Sequence, residues 1–266
     1  MAINWFPGHM AKSLRDIRSI QNIDIIIEVV DARCINLSSN QELSETFHKP
    51  KLTIALKSDL VDIVTTNHKN DLLIGSIKKR KFKDKIIEKL DVIFAKKKQE
   101  LKLKGLVNPQ FYGVVVGLPN VGKSSLINFL ATKTKLIVAN KPGVTRNKQL
   151  VKINNNYFLY DTPGILFKKI SNDIDGYKLA LVGVIRREVL PLAEVVEWGY
   201  TFLKNNYSNI LHNKYKAISS DSFSDFIQHV GHKFNFVKNN SQIDIDRTIS
   251  FLYDDWKNNI KVNYEK

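Results

Sequence analysis

Four short apolar runs, at residues 23–30, 52–56, 112–116 and 157–160, set the pattern of the first part of the chain. They are rich in Ile, Val, Leu and aromatic residues, as expected of strands covered on both faces of a parallel sheet. Each run stops at a residue suited to ligand chemistry or at a glycine turn: Asp31, Lys57-Ser58-Asp59, Gly117 and Asp161. In an open α/β sheet, ligands bind beyond the carboxyl ends of the strands, so these four ends are expected to converge in one crevice. Residues 85–104 have helical spacing, with Ile86, Leu90, Ile93, Phe94 and Leu101 on one face and most of the lysines on the other. After Ile170 the pattern becomes helical, at residues 177–190, 192–203, 222–230 and 243–256. The expected fold is therefore α/β over residues 1–170, a mostly parallel sheet with helices on both faces, followed by an all-helical domain over residues 171–266.

Length and composition fit that division, since 266 residues with 43% hydrophobic content can bury one substantial core and a smaller second one. Cys34 is the only cysteine, which forbids an intrachain disulfide and a Cys-rich zinc site. The apolar runs are too short and too charged to cross a bilayer, and the amino terminus lacks a secretion signal. A cytoplasmic location without membrane association is expected. The net charge of +15 is uneven: residues 1–170 carry 29 Lys+Arg against 14 Asp+Glu, whereas residues 171–266 carry 12 of each. Within residues 78–104 there are twelve basic and four acidic residues. Such a run fits either a polyanion partner or a solvated lysine face.

The strongest local signal is Gly117-Leu118-Pro119-Asn120-Val121-Gly122-Lys123-Ser124, set between a strand and a helix expected at residues 125–131. Glycines at these places let backbone N–H groups of residues such as Asn120, Val121, Gly122 and Ser125 approach phosphates closely. Lys123 would reach the β- and γ-phosphates, and the Ser124 hydroxyl would ligate Mg²⁺. Downstream, Asp161-Thr162-Pro163-Gly164 offers a carboxylate to the metal and the Gly164 N–H to a γ-phosphate. Thr145, in Pro142-Gly143-Val144-Thr145, is the candidate for the remaining metal and phosphate contact; alone it would read as a turn threonine.

Base identity rests on Asp59, whose two oxygens can accept from the N1–H and exocyclic amine of guanine. Lys57 would lie along the base, with Ser58 between them and Ser76 as a second base-loop residue. The usual guanine motif has asparagine just before the lysine, and here that position is Leu56. The base-reading segment precedes the phosphate loop, the reverse of ordinary small GTPases. That is the order of a circularly permuted P-loop GTPase.

With Trp5-Phe6-Pro7-Gly8-His9-Met10-Ala11-Lys12, Val30-Asp31-Ala32-Arg33 and Gly176-Tyr177-Lys178-Leu179-Ala180 added to the permuted motifs, the chain resembles the ribosome biogenesis GTPase A family (YlqF-like) over residues 1 to about 205. The resemblance implies GTP hydrolysis coupled to late maturation of the large ribosomal subunit, and stimulation by ribosomal particles and potassium. It also implies a carboxyl-terminal helical domain that contacts rRNA. Its partners would be the large-subunit precursor and rRNA, with no DNA and no membrane, and the chain would be monomeric off the ribosome. Asn120 corresponds to the phosphate-loop asparagine that helps hold K⁺ in potassium-stimulated relatives, although its own context equally fits a turn.

Catalysis needs a group that orients water, yet Ile165 follows Gly164, where Ras-like enzymes carry glutamine. The resemblance nominates His9, and a neutral imidazole has the required chemistry. Beside Trp5, Phe6 and Met10, His9 equally fits a packed structural histidine. The expected activity is a slow, particle-stimulated GTP hydrolase requiring Mg²⁺. The alternative is a nucleotide-gated RNA-binding assembly factor that does not hydrolyse GTP.

Overall fold

The computed structural model describes residues 20, 22–40, 47–62, 71–132, 149–162, 170, 172–217, 222–238 and 241–266. Its sheet has six strands: β1 Ile25–Asp31, β2 Lys51–Leu56, β3 Leu72–Ile74, β4 Phe111–Val116, β5 Gln149–Lys152 and β6 Tyr157–Asp161. They lie in the order β3-β2-β1-β4-β6-β5. All pairs are parallel except β5 with β6. The four apolar runs become β1, β2, β4 and β6, within two residues at each end. β1 is buried along its whole length, as an interior parallel strand with both faces covered should be.

The antiparallel β5 was not anticipated. It has four residues, of which Val151 alone is buried, so it carries no apolar run to announce it. Its place at the sheet edge, paired among the described residues with β6 alone, explains why a short, half-polar segment suffices.

Helix α1 is the short Ile35–Ser38. The lysine-rich helix, α2, spans Lys81–Leu103 and buries Phe82, Ile86, Leu90 and Phe94. This is the expected face, begun one turn earlier, while Ile93 and Leu101 are only partly buried. Phe94 stacks on Phe111 of β4 with centroids 4.2 Å apart and lies 6.0 Å from the Tyr157 ring of β6. Truncating a buried aromatic of this kind costs about 3–5 kcal/mol. Lys83 Nζ donates to the Leu130 carbonyl at 2.6 Å, closing the carboxyl end of α3, Lys123–Leu130. Lysine there satisfies a carbonyl that has no partner inside the helix.

The chain divides into two compact units. The sheet with α1–α3 falls in one, and residues 170–266 fall in the other together with a short segment starting at Leu60. The second unit holds α4 Asp173–Leu181, α5 Leu192–Asn206, α6 Phe223–Lys233 and α7 Ile245–Asn259. Side-chain caps start three of these helices: Asn172, Ser222 and Asp244 accept from the backbone N–H groups of Asp175, Asp225 and Arg247, respectively. The run at residues 177–190 is not one helix. After Leu181 the Val184 N–H donates to the Leu179 carbonyl and the Gly183 N–H to that of Ala180, a helix-ending pair of bonds. Arg187–Val189 then forms a separate 3₁₀ turn.

Trp256, Tyr253, Tyr215, Tyr264 and Phe226 are among the large core residues of this unit. The buried Asp255 carboxylate is fully engaged. It accepts from the Tyr215 hydroxyl, from Lys214 Nζ at 2.7 Å and from Asn259 Nδ2 at 2.9 Å. Burial and the hydrogen bond to Asp255 together push the Tyr215 phenol well above its ordinary range, so it stays protonated and donating.

Candidate nucleotide-binding site

β4 hands the chain to the phosphate loop at Gly117, whose φ is +149°. A Cβ at Gly117 would lie 2.2 Å from the Val29 carbonyl oxygen of β1, so the loop starts where only glycine fits. Asn120 takes the left-handed conformation at φ 59°, which asparagine tolerates better than most residues. No side chain caps α3, so its leading N–H groups remain donors toward an anion. Lys123 opens that helix. Its buried Nζ donates to the carbonyls of Gly117 at 3.2 Å and Leu118 at 2.8 Å. Burial lowers the Lys123 pKa to about 8, against the opposing pull of the Asp161 carboxylate.

β6 runs parallel to β4 with Asp161 opposite Val115, and this register carries the Asp161 carboxylate to α3. Ser124 Oγ donates to Asp161 Oδ2 at 3.0 Å. The second oxygen, Oδ1, is buried without a hydrogen-bond partner among the described residues. Thr162 is anchored behind them, its hydroxyl donating to the Val115 carbonyl at 2.5 Å. A hydroxyl beside a carboxylate with one oxygen unengaged is a donor set that fits a hard, oxygen-seeking cation such as Mg²⁺.

The base-reading loop forms at the ends of β2 and β3. The Gly75 N–H donates to the Ala55 carbonyl at 2.9 Å and the Ser58 N–H to the Gly75 carbonyl at 3.2 Å, drawing the two loops together. Ser76 is buried there, and its side chain hydrogen-bonds Asp59. Lys78 Nζ lies 2.7 Å from Asp59 Oδ2. Partial burial would raise the Asp59 pKa, but the hydrogen bonds from Lys78 and Ser76 outweigh it and hold the carboxyl below its usual range. The ionised, accepting form is the one guanine would need. Lys57 connects this loop to the phosphate loop, with Nζ 2.8 Å from Asp31 Oδ2 and 3.3 Å from the Asn120 carbonyl oxygen.

Comparison with known proteins fits this geometry. A family model described as 50S ribosome-binding GTPase matches residues 113–222. The probable ribosome biogenesis GTPase A of Mycoplasma pneumoniae is 40% identical over 247 residues, covering 92% of this chain and 88% of that protein. The chain belongs to the ribosome biogenesis GTPase A family. Its counterpart from Bacillus pumilus is 32% identical over 267 residues, covering 96% and 94% of the two chains. The GNP-bound structure of YlqF from T. maritima shares the fold, with a TM-score of 0.63 at 22% identity over 92% of this chain and 93% of that one. The permuted motif order is thus that of a ribosome biogenesis GTPase A fold.

The residues nominated from the sequence divide into two groups. Lys57, Ser58, Asp59 and Ser76 lie at the ends of β2 and β3, and Asn120, Val121, Gly122, Lys123, Ser124, Ser125 and Asp161 lie at the ends of β4 and β6 and the start of α3, the two groups joined through the Lys57–Asn120 contact. His9, Thr145, Gly164 and Ile165 lie outside the described residues. Asp31, expected at a strand end that converges on the site, has no specific role by sequence, and Arg33 appears there only within a family motif; the structure sets the Asp31 carboxylate against both Arg33 and Lys57.

The depressed Lys123 pKa sets a pH dependence. A phosphate contacting Lys123 would bind the charged amine, so GDP affinity is expected to be highest below about pH 8. Above that value, binding must take up a proton, and affinity is expected to fall by up to about tenfold per pH unit. Calorimetry without metal from pH 7 to 9.5, in buffers of differing ionisation enthalpy, would detect the proton uptake. A flat profile with no uptake would contradict it.

Proposed function

We propose that this chain hydrolyses GTP to GDP and phosphate, slowly alone and faster on a pre-ribosomal particle, and thereby assists late assembly of the large ribosomal subunit. The carrying observation is the Ser124–Asp161 contact, with Asp161 Oδ1 unengaged among the described residues and Ser124 next to Lys123 at the start of α3. Family membership supports the same reading, and relatives carry ribosome biogenesis in their names.

In this reading, loop and helix N–H groups hold the phosphates, Lys123 neutralises the β- and γ-oxygens, and Asp59 accepts from guanine. Ser124 and Asp161, with Thr145, would hold Mg²⁺, which would supply positive charge to offset the charge that develops on the leaving group. Asn120 is the candidate K⁺ contact. His9 orients the water, whose oxygen bonds the γ-phosphorus as the bond to the bridging oxygen breaks and the GDP departs. Residues 1–170 form the GTPase domain and residues 171–266 the helical domain that contacts rRNA, and the protein works as a cytoplasmic monomer when off the particle. Among the described residues no helix is long and apolar enough to cross a membrane. A steady-state turnover assay with and without large-subunit particles tests the proposal. Absence of turnover in both conditions, with GTP bound, would favour the nucleotide-gated assembly factor instead.

The basic helix α2 supplies an RNA-facing surface in this reading, though not through every lysine. Lys97 pairs with Asp24 at 2.6 Å, and Lys98 pairs with Asp91 and sits over the Tyr157 ring. Lys81, Lys85, Lys89 and Lys96 instead share one helical edge by their spacing, and none has an ion pair among the described residues. That edge spans about 22 Å at a rise of about 1.5 Å per residue. Charge reversal of these four is expected to lower the log–log salt slope of particle binding by about 3 to 4. Reversing Lys97 and Lys98 should change it far less. Equal effects of the two variants would argue against an RNA-facing edge.

A further inference from the structure

The departure at Leu56 leaves a physical problem. In the usual guanine motif an asparagine at this position ties the base loop to the phosphate loop, and a leucine cannot. Leu56 is buried, and its Cδ1 lies 3.1 Å from where a Cβ on Gly122 would stand, so it contributes packing against the phosphate loop and no hydrogen bond.

Directly across the sheet, β1 places Asp31 opposite Leu56 in the parallel register. The Asp31 carboxylate is wholly buried and held by four donors. Oδ1 accepts from Arg33 Nε at 2.9 Å and from the Arg33 backbone N–H at 3.1 Å. Oδ2 accepts from the Arg33 guanidinium at 2.9 Å and from Lys57 Nζ at 2.8 Å. The two-pronged Arg33 contact fixes both the position and the plane of the carboxylate. Burial alone would raise the Asp31 pKa, but Arg33 and Lys57 together bring it below its ordinary value.

We propose that Asp31, braced by Arg33, is a positioning residue for guanine nucleotide: it fixes Lys57 against the Asn120 carbonyl and so replaces the missing asparagine tie between the two loops. The proposal rests on the guanine-nucleotide reading of the site. Arg33 already satisfies Asp31 through both oxygens, so the carboxylate has no structural need of Lys57. Lys57 is about one-third exposed, and its ammonium would otherwise range through solvent. Held by an anion that cannot move, it spans the base-reading and phosphate loops before nucleotide arrives. Preorganisation of this kind lowers the ordering cost of binding.

The test is a double-mutant cycle on the full chain, with GDP affinity read by calorimetry. Asp31→Asn is expected to weaken GDP binding by about tenfold or more, and Lys57→Met by a similar factor or more. In the Lys57→Met background, Asp31→Asn should add no more than about twofold, because the side chain through which Asp31 acts is gone. A role in folding alone would shift the thermal midpoint but would impose the same affinity factor in both backgrounds, and that outcome overturns the proposal. So does an unchanged affinity in the single variant. If Asp31→Asn does not fold because the buried Arg33 guanidinium loses its carboxylate, Asp31→Asn combined with Arg33→Gln removes both charges, and the same comparison is read there. A wild-type chain that takes up no GDP overturns the nucleotide reading itself, a result distinct from equal factors in the two backgrounds.

Discussion

A Lys123→Met variant is expected to lose GTP turnover by about 10²–10³-fold, as when a preorganised donor to a transition-state oxyanion is removed. Its thermal midpoint at neutral pH should be unchanged or higher. Among the described residues Lys123 has no anion in hydrogen-bond contact: Nζ lies against two carbonyls of its own loop, and Asp161 acts only at longer range. The shift from 10.5 to about 8 means that burial disfavours the charged amine in the folded state. The corresponding penalty is on the order of 3 kcal/mol. It is fully present below about pH 8 and fades as pH rises toward the unfolded value, where both states lose the proton. Methionine fills a similar volume without the charge, which removes the penalty along with the phosphate contact. Turnover and thermal unfolding measured on the same preparation separate the two effects. A variant that unfolds several degrees lower and keeps its turnover would refute this account of Lys123.

The same opposition explains what could be read from the sequence. Strand ends bearing ligand chemistry were legible because each apolar run must stop where the chain leaves the covered sheet, and the parallel order then carries those ends to one side. The helical register of α2 was legible because Phe82, Ile86, Leu90 and Phe94 must face the sheet. Contacts set by tertiary neighbours were not. By sequence Lys97 and Lys98 are free surface charge, whereas the fold sets them against Asp24 and Tyr157. Arg33 and Asp31 belong to a family motif, but their ion pair is set by the turn after β1, which folds one onto the other. β5 escaped notice because an edge strand needs only one neighbour and little apolar surface. The break after Leu181 was missed because apolar residues continue on both sides of Gly183, and hydrophobic periodicity does not register a change in backbone handedness.

Gly117→Ala is expected to abolish measurable GDP binding, with an affinity loss beyond about 10²-fold, and to lower stability by about 1–3 kcal/mol through backbone strain. The added methyl would meet the Val29 carbonyl oxygen at 2.2 Å, and that oxygen cannot retreat. Val29 is fully buried inside β1, which is hydrogen-bonded on both sides, to β2 and to β4. A flexible side chain could swing aside, but a carbonyl locked in the middle of a six-stranded sheet would take its neighbours with it. The phosphate loop is therefore the part that must give, by lifting from β1 at its first residue. Such a displacement would move Asn120 away from Lys57 and Lys123 away from the carbonyls that now hold it. Because the proposed phosphate contacts are backbone N–H groups whose placement depends on that first residue, binding should suffer far more than folding. Calorimetry with GDP, alongside a denaturant titration, measures both effects. Retention of near wild-type GDP affinity in the variant would mean that the loop takes its shape from elsewhere than its contact with the sheet.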